Sequence, residues 1–339
     1  MARVALIGLG MVSDTYAAAI ASAPGLDLAA VHARTQAARD RFQAAHPSLG
    51  AMAVASLADL VAVPDLDFAI LATPPNARHE AIAALSAAGI PILMEKPIER
   101  SLAQAESVVD MCAAAGIQAG LMLQHRARPA VSNLRSILPE IGALCAVEVT
   151  VPWWRDQSYY DAPGRGTYAR DGGGVLMSQA IHTLDLMLHI AGPVVEVTAM
   201  AATTSLHKME AEDFVTAGLR FANGAVGHVF ASTASFPGRG ERLVFHGANG
   251  SAVLEAGLVQ INWRDGRSDM LGVAAASGAG ADPMAFTSDW HQSVIEDFAD
   301  AVAQGRAPNI TARDGLAVHR LIGGIERAAK LGHRIELES

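Results

Sequence analysis

The tripeptide Glu95-Lys96-Pro97 follows the apolar residues 90–94, so it places an ammonium group where a buried strand is predicted to end. In an open α/β sheet, ligands bind outside the carboxyl ends of the strands. A lysine there can be desolvated enough to hold or move a proton near neutral pH. Pro97 fixes its own φ and biases Lys96 towards an extended backbone, which aims the amine. We predict a catalytic role for Lys96; an exposed salt bridge between Glu95 and Lys96 is the alternative.

A second polar group recurs along residues 175–190, an apolar segment that is predicted to be a helix. Its members lie at helical spacing and share one face; they are Ser178, His182, Asp185 and His189. Solvated faces favour Lys, Glu and Arg, whereas these groups suit proton transfer, so we predict that His182 is an acid–base group. A solvated stripe is the alternative. Zinc binding by His182, Asp185 and His189 would lack a further ligand, so no metal is expected. The glycines at 172–174 would let a ligand or another backbone come close.

Residues 151–167, before this helix, combine aromatic rings with hydrogen-bonding side chains. Half of the chain's four tryptophans and two of its four tyrosines lie here. An aromatic plane packs on the C–H face of a sugar, and charged side chains bind its hydroxyls in bidentate fashion. We predict a sugar or polyol site, and packing at a domain or subunit interface is the alternative. The predicted substrate residues are Trp153, Trp154, Arg155, Tyr160, Arg165, Ser178, Gln179 and His182.

The N-terminal residues have the pattern of a strand, a glycine turn and the start of an alanine-rich helix. Gly8 permits the tight turn, and Gly10 lets the backbone approach a pyrophosphate on the helix N-terminus. Ser13 takes the place of the third glycine of the full fingerprint, so an ordinary glycine turn is the alternative. We predict a dinucleotide site at this turn, formed by Gly8, Gly10, Met11 and Val12.

The residue types at the end of the second predicted strand indicate whether NAD(H) or NADP(H) binds. An NAD enzyme normally carries Asp or Glu there, which binds the ribose hydroxyls. This chain instead has His32-Ala33-Arg34-Thr35. An arginine beside a hydroxyl suits a ribose 2′-phosphate, so NADP(H) is favoured, with Arg34 and Thr35 as its contacts. If Arg34 stacks on adenine or points to solvent, NAD(H) is the alternative.

Strand and helix patterns alternate through residues 1–123, and the strands are almost continuously apolar. This alternation predicts a parallel sheet covered on both faces, and hence an α/β Rossmann dinucleotide-binding domain. Strands are predicted at residues 4–7, 26–31, 68–72, 90–94 and 118–123, and helices at 35–45, 77–88 and 101–115.

In residues 124–339, the alternation of strands and helices stops and strand patterns follow one another, which predicts an α+β domain with a largely antiparallel open sheet. We expect this domain to bind the substrate. Asn223-Gly224 and Asn249-Gly250 indicate hairpin turns. Residues 265–283, rich in Gly, Ser and Ala, are expected to form a flexible loop. Strands are predicted near 143–150, 196–202, 213–221, 225–233, 242–247 and 251–255, and closing helices at 288–303 and 313–331.

The composition of the 339 residues argues for a soluble enzyme of two domains. A formal charge of -9 without a basic run excludes a nucleic-acid partner. Cys112 and Cys145 lack metal-ligand spacing and are expected to be core thiols in a reducing compartment. The chain enters a strand at once and has no run of about 18 apolar residues, so we expect no signal peptide, no membrane partner and a cytoplasmic location.

Taken in order, these motifs resemble the glucose-fructose oxidoreductase, inositol dehydrogenase and rhizopine-catabolism (Gfo/Idh/MocA) family over nearly the whole chain. The matching segments are Gly8-x-Gly10, Thr73-Pro74-Pro75-Asn76 with His79, Glu95-Lys96-Pro97, Gln124-x-Arg126 with Pro129, and Gly172-Gly173-Gly174 followed by His182 and Asp185. The resemblance implies a two-domain fold whose second sheet often forms the oligomer interface, and therefore a homodimer or homotetramer. It implies NAD(P)-dependent hydride transfer at a secondary hydroxyl of a sugar or cyclic polyol.

The resemblance also implies residue roles. Lys96 would order substrate and cofactor, and His182 would be the acid–base group. Further implied cofactor residues are Thr73, Pro74, Asn76, His79, Glu95, Lys96 and Gln124. Many members carry an acidic residue or Asn at the position of Ser178, so a lysine–aspartate–histidine triad is incomplete here, and Gln179 is expected to substitute in part. An NAD-dependent glycosidase that uses transient oxidation and a non-catalytic dinucleotide-binding regulator are the alternatives.

Overall fold

A computed structural model of the chain describes residues 1–274 and 287–338. They divide into two compact units, of which the first comprises Met1–Gln124 and Ser288–Leu316. The second unit contains the remaining described residues.

The elements are numbered along the chain. The helices are α1 (Ser13–Ala21), α2 (Gln36–Ala45), α3 (Leu57–Val61), α4 (His79–Ala87), α5 (Leu102–Ala114), α6 (Pro129–Ile141), α7 (Gln157–Tyr160), α8 (Ile181–Ala191), α9 (Asp289–Gln304) and α10 (Ala312–Leu331). The strands are β1 (Ala2–Ile7), β2 (Leu26–His32), β3 (Met52–Val54), β4 (Phe68–Leu71), β5 (Ile92–Glu95), β6 (Ala119–Met122), β7 (Leu144–Pro152), β8 (Val194–Ala202), β9 (Phe214–Phe221), β10 (Val226–Ser232), β11 (Arg242–Gly247), β12 (Gly250–Glu255), β13 (Leu258–Trp263), β14 (Ser268–Gly272) and β15 (Ile335–Glu336).

The first unit is built on a parallel sheet of six strands in the order β3-β2-β1-β4-β5-β6. Strands β4 and β5 are buried along their whole length, as expected for the interior of a parallel sheet. The prediction of a Rossmann-type α/β domain is confirmed. The carboxyl ends of β1, β4 and β5 carry the glycine turn, Thr73 and Lys96.

The first unit also includes α9, which the prediction had assigned to the second domain. Phe298 of α9 is buried and packs edge-on against Phe68 of β4, with ring centroids 5.2 Å apart. The structure therefore differs from the predicted division, because an amphipathic pattern identifies a buried helix face without identifying the sheet that covers it.

The second unit contains a nine-stranded sheet in the order β14-β13-β12-β11-β7-β10-β9-β8-β15. Strands β7 and β10 are parallel, and the other neighbouring pairs are antiparallel. The prediction of a largely antiparallel sheet is confirmed. One core joins Leu134 of α6, Leu184 of α8 and Ile322 of α10 with Val149 and Val229 of the sheet.

Part of the predicted flexible loop is a strand. Residues 268–272 form β14, which pairs antiparallel with β13 through a turn at Gly266, where φ is 93°. The prediction missed this hairpin because its polar strand gives no apolar alternation. The rest of that predicted loop, from residue 275 on, lies outside the described residues.

The two cysteines differ in exposure. Cys112 is buried, as predicted, whereas Cys145 is exposed and its thiol lies 3.3 Å from the carbonyl oxygen of His246. The prediction for Cys145 was therefore wrong, because its strand alternates between covered and uncovered faces. Within residues 1–274 and 287–338, no helix combines the length and the apolar character needed to cross a membrane.

Two carboxyl groups meet beside the glycines at 172–174. Glu212 accepts hydrogen bonds from the backbone N–H groups of Gly174, at 3.0 Å, and Leu176, at 3.1 Å. An Oε1 atom of Glu326, on α10, lies 3.2 Å from the position of a Cβ built on Gly173. Burial, followed by the charge of Glu212, raises the pKa of Glu326 to about 7. Burial also raises the pKa of Glu212, so this pair retains a proton near neutral pH.

We expect Glu326→Gln to stabilise the protein by about 1–3 kcal/mol more at pH 8 than at pH 5. A carboxyl whose pKa is raised on folding loses its contribution to stability as the pH rises from about 4.3, the unfolded value, to about 7. A neutral amide avoids this loss. Urea unfolding at both pH values measures the difference, with exposed Glu80→Gln as the control. Equal stabilisation at pH 5 and pH 8 would contradict the expected protonation.

Candidate active site

The turn between β1 and α1 requires glycine at one position and leaves open space at another. Gly8 has a φ of 100°, and a Cβ there would lie 2.8 Å from the backbone of Ala72 and Thr73. Around Gly10 nothing lies within 4 Å of a Cβ. Ser13, at the position of the third fingerprint glycine, donates its hydroxyl to the carbonyl oxygen of Gly10 at 2.6 Å, within the turn.

This geometry fits a dinucleotide. Helix α1 follows Gly10 closely, so its first N–H groups and the adjacent open space suit a pyrophosphate. Thr73, after β4, has a buried hydroxyl with no hydrogen-bond partner among the described residues, and a cofactor hydroxyl would satisfy it. Met11, Pro74 and Asn76 are exposed close to these positions in the chain, as cofactor contacts require.

Three other predicted cofactor residues have different environments. Val12 is half-buried and precedes the first residue of α1. His79 is exposed and begins α4. Gln124 is buried at the end of the first unit, and its Oε1 lacks a hydrogen-bond partner in the described structure. Gln124 is therefore the one of these three with an acceptor that a ligand could satisfy.

The end of β2 carries positive and hydroxyl groups. Arg34 is exposed, and the hydroxyl of Thr35 caps α2 by accepting the N–H of Ala38 at 3.3 Å. Arg39 donates to the carbonyl oxygen of Ala33 at 2.6 Å, which fixes the intervening backbone. The Thr35 hydroxyl keeps its own proton for donation to an anion.

Lys96 is half-buried directly after β5, in the position predicted for it. Its backbone N–H donates to Oε2 of Glu95 at 3.0 Å, and the Tyr16 hydroxyl donates to Oε1 of the same carboxylate at 2.8 Å. Tyr16 packs edge-on to buried His291, with centroids 5.6 Å apart. Burial and the nearby Glu95 charge raise the pKa of Tyr16, and burial lowers the pKa of His291 to about 4. Glu95 is thus a backbone anchor for the Lys96 turn.

Arg78 is a residue that sequence reasoning missed. It is 1% exposed, and its guanidinium donates to Thr73 O at 2.9 and 2.7 Å and to the carbonyl oxygens of Glu95, Pro97 and Ile98. Burial lowers its pKa to about 10, so it stays charged at neutral pH. One cation therefore joins the loop after β4 to the loop that carries Lys96. Because its acceptors are backbone carbonyls, no side-chain motif indicates it.

In the second unit, the glycines at 172–174 accommodate protein rather than a ligand. A Cβ on Gly174 would lie 1.8 Å from the carbonyl oxygen of Glu212, and the N–H of Val175 donates to that oxygen at 2.8 Å. Of the two interpretations of these glycines, the structure supports close approach of another backbone segment.

The predicted helix over 175–190 contains a wide turn. Leu176–Ala180 is a π-helix, and α8 continues from it. The polar stripe is not solvated, because His182 and Asp185 are 6% and 1% exposed, while Ser178 is half-buried. Arg126 binds Asp185 through two hydrogen bonds, of 2.8 and 2.5 Å. The ring of His182 stacks on that of His125, a residue that the sequence analysis did not select, with centroids 4.7 Å apart.

The predicted aromatic region contains both packed and available side chains. Trp153 and Tyr160 are buried, and the Tyr160 hydroxyl bonds to that of Thr233 at 2.7 Å. Arg155 is 3% exposed and lies 5.2 Å from the centroid of the Trp153 ring, while Trp154 is half-buried. Much of the aromatic content of this region is therefore explained by packing within the second unit.

Tyr159 links the remaining predicted substrate residues. The Arg165 guanidinium lies 4.3 Å from the centroid of its ring. The amide nitrogen of Gln179 donates to its hydroxyl at 3.4 Å, and the buried Oε1 of Gln179 has no hydrogen-bond partner among the described residues. Tyr159, Arg165 and Gln179 therefore form a group in which the Oε1 atom of Gln179 could accept a hydrogen bond from a ligand. The predicted substrate residues include the adjacent Tyr160 instead of Tyr159. No cluster of three metal-ligating side chains occurs in the part of the chain that the structure describes.

Two family models match this chain. Residues 2–123 match an oxidoreductase family with an NAD-binding Rossmann fold, and residues 139–253 match the GFO/IDH/MocA C-terminal domain. D-apiose dehydrogenase of Paraburkholderia graminis is 26% identical over 99% of this chain and 89% of its own length. Levoglucosan dehydrogenase of Pseudarthrobacter phenanthrenivorans is 26% identical over 79% of each chain.

A solved structure extends the likeness over the whole chain. The WlbA dehydrogenase from Bordetella pertussis, in complex with NADH and UDP-GlcNAcA, is 27% identical with a TM-score of 0.83, covering 100% of this chain and 99% of that one. The chain belongs to the GFO/IDH/MocA family of NAD-binding oxidoreductases.

Proposed function

We propose that this chain transfers a hydride reversibly between a nicotinamide dinucleotide and a secondary hydroxyl carbon of a sugar or cyclic polyol. The observation that carries the proposal is the half-buried ammonium of Lys96 at the end of β5, in a loop anchored by Glu95 and Arg78. The names of two relatives, D-apiose dehydrogenase and levoglucosan dehydrogenase, support the substrate class.

In the first unit, Gly8, Gly10 and the start of α1 would hold the pyrophosphate, and Thr73 a ribose hydroxyl. When bound, the nicotinamide supplies the carbon that accepts or donates the hydride. Lys96 stabilises the negative charge that develops on the substrate oxygen as the hydride leaves its carbon. Its ammonium also orients that oxygen, and positioning of the reactants lowers the barrier by several kcal/mol.

His182 exchanges the hydroxyl proton. In oxidation its imidazole accepts the proton as the carbonyl forms, and in reduction the imidazolium returns it, a contribution of about 10²- to 10⁴-fold. Ser178 supplies no carboxylate, and Asp185 is held by Arg126. Gln179, with its buried acceptor, would bind a neighbouring substrate hydroxyl, and the ring of Tyr159 would support the sugar.

The assembly and compartment are further parts of this proposal. Met200 on β8 and Val226 on β10 are about half exposed, so the sheet of the second unit carries exposed apolar side chains. We propose that this sheet joins the chain into a homodimer or homotetramer. Both cysteines are free thiols, which suits a reducing cytoplasm.

The first test is a substrate panel. Purified protein with NADP⁺ or NAD⁺ is given polyols, sugars and aryl glycosides, and we expect the absorbance of reduced nicotinamide to rise with at least one polyol or sugar. Release of the aryl group without that absorbance would indicate a glycosidase instead. Cofactor binding without any turnover would indicate a regulator.

A second test removes the ammonium. With a substrate from the panel, Lys96→Met should lower kcat by at least about 10²-fold but leave the cofactor Kd within a few-fold, because it removes a transition-state interaction. Exposed Lys330→Met is the matched control and should behave as wild type. If Lys96→Met keeps more than about a tenth of the wild-type kcat, Lys96 does not have this role.

We propose NADP(H) as the preferred cofactor. Residues 32–35 contain no carboxylate that would bind ribose hydroxyls and repel a 2′-phosphate. Arg34 is exposed, the Thr35 hydroxyl can donate, and both precede the positive N-terminus of α2. This arrangement supplies two donors and a helix dipole to a dianion.

A third test concerns that phosphate. Arg34→Ala should weaken NADP(H) binding by about 1.5–3 kcal/mol, the range of a charge-assisted hydrogen bond, and leave NAD(H) nearly unchanged. Fluorescence titration measures both, and Arg313→Ala, a 66% exposed arginine in the same unit, is the control. Equal losses for both cofactors would show that Arg34 stacks on adenine. Tighter binding of NAD⁺ by the wild type would overturn the NADP(H) preference.

A further inference from the structure

We propose that His125 is a positioning residue for His182: a neutral imidazole, locked by Arg128 and Glu241, against which the His182 ring is held. The proposal deepens the function above and rests on the acid–base role of His182. All four side chains belong to the second unit.

The lock on His125 follows from hydrogen-bond chemistry. Nη2 of Arg128 lies 2.6 Å from Nε2 of His125. A guanidinium can only donate, so Nε2 must accept, which places the ring proton on Nδ1 and leaves the imidazole neutral. Protonation at Nε2 would break this bond and set two cations side by side. The contact therefore selects one tautomer and one charge state of His125.

Glu241 holds the other side of the lock. Its Oε1 accepts a hydrogen bond of 2.6 Å from Nη1 of Arg128, and the two residues are 3% and 5% exposed. A buried pair of this kind is costly to break by removing one partner, because the remaining charge is left uncompensated. Arg128 is thus fixed between Glu241 and His125.

The stack transmits this rigidity to His182. The two imidazole rings lie 4.7 Å apart between centroids with an interplanar angle of 26°, and both residues are buried. Two imidazolium rings at this separation would repel, so a neutral His125 leaves His182 as the ring that takes the proton. Asp185, three residues along α8, is in a bidentate pair with Arg126. With serine at 178, the flat face of His125 takes over the orienting role of the missing carboxylate.

The kinetic test uses two substitutions at one position. His125→Phe keeps a flat uncharged ring but loses the acceptor of the Arg128 bond, so it should keep more of the wild-type kcat than His125→Leu, which should lower kcat by about three- to tenfold; both should leave the cofactor Kd unchanged. His246→Phe, on β11, is the matched control and should not change kcat. Rescue by phenylalanine distinguishes an orienting ring from general packing, since leucine also fills space. Equal kcat for the Phe, Leu and wild-type proteins would overturn the proposal.

A spectroscopic test determines which ring nitrogen of His125 carries the proton. In ¹⁵N-imidazole NMR of the wild type at pH 7, His125 should carry its proton on Nδ1 and none on Nε2. The double substitution of Arg128→Met with Glu241→Met removes both charges, which buried sites tolerate better than loss of one, and should release His125 into tautomer exchange. A wild-type His125 that is doubly protonated, or protonated on Nε2, overturns the proposal whether or not the variants fold.

The role of His182 is tested separately. If His182→Asn retains the wild-type kcat, the acid–base assignment fails. The NMR measurement of the His125 tautomer would still show whether Arg128 and Glu241 lock that ring. If His182→Asn loses activity but His125→Leu keeps both the wild-type kcat and the wild-type His182 signals, the positioning role fails alone.

Discussion

Charge placed out of water must be compensated by hydrogen bonds, and the active-site loops depend on how this chain meets that requirement. Desolvation of an ion costs several kcal/mol unless partners replace the lost water. Arg78 finds its partners in backbone carbonyls after β4 and β5, and Glu95 in a tyrosine hydroxyl and a backbone N–H. Because all of those partners except the tyrosine hydroxyl are main-chain groups, satisfying the charges also fixes the path of the loops. The ammonium of Lys96 is then presented by a backbone with few alternatives.

The second unit meets the same requirement with side chains. Arg126 pairs with Asp185 on the helix that bears His182, and Arg128, two residues along the chain, pairs with Glu241. Such pairs contribute little net stability compared with apolar packing, but they favour one geometry over others. A fixed geometry favours acid–base catalysis, because proton transfer depends on the distance and direction between donor and acceptor.

Much of the fold and part of the site could be predicted from local patterns. The positions of Gly8, Lys96 and His182 were predictable because each stands at a strand end or on a helix face that periodicity reveals. Arg78 and His125 were not, because their partners lie far along the chain or are main-chain atoms without a sequence signature. Aromatic composition selected the region that contains Tyr159, but composition does not show which rings turn inward.

The π-helical turn Leu176–Ala180 accommodates one residue more than an α-helix would over the same length. A chain that lost a single residue there could still form a continuous helix into α8. The side chains before and after the turn would keep their directions, because the wide turn absorbs the extra residue, and only the side chains within the turn would change direction. Gln179 would then no longer donate to the hydroxyl of Tyr159. Under the proposed function, an insertion or deletion at this turn would change the substrate contacts and leave His182 in place.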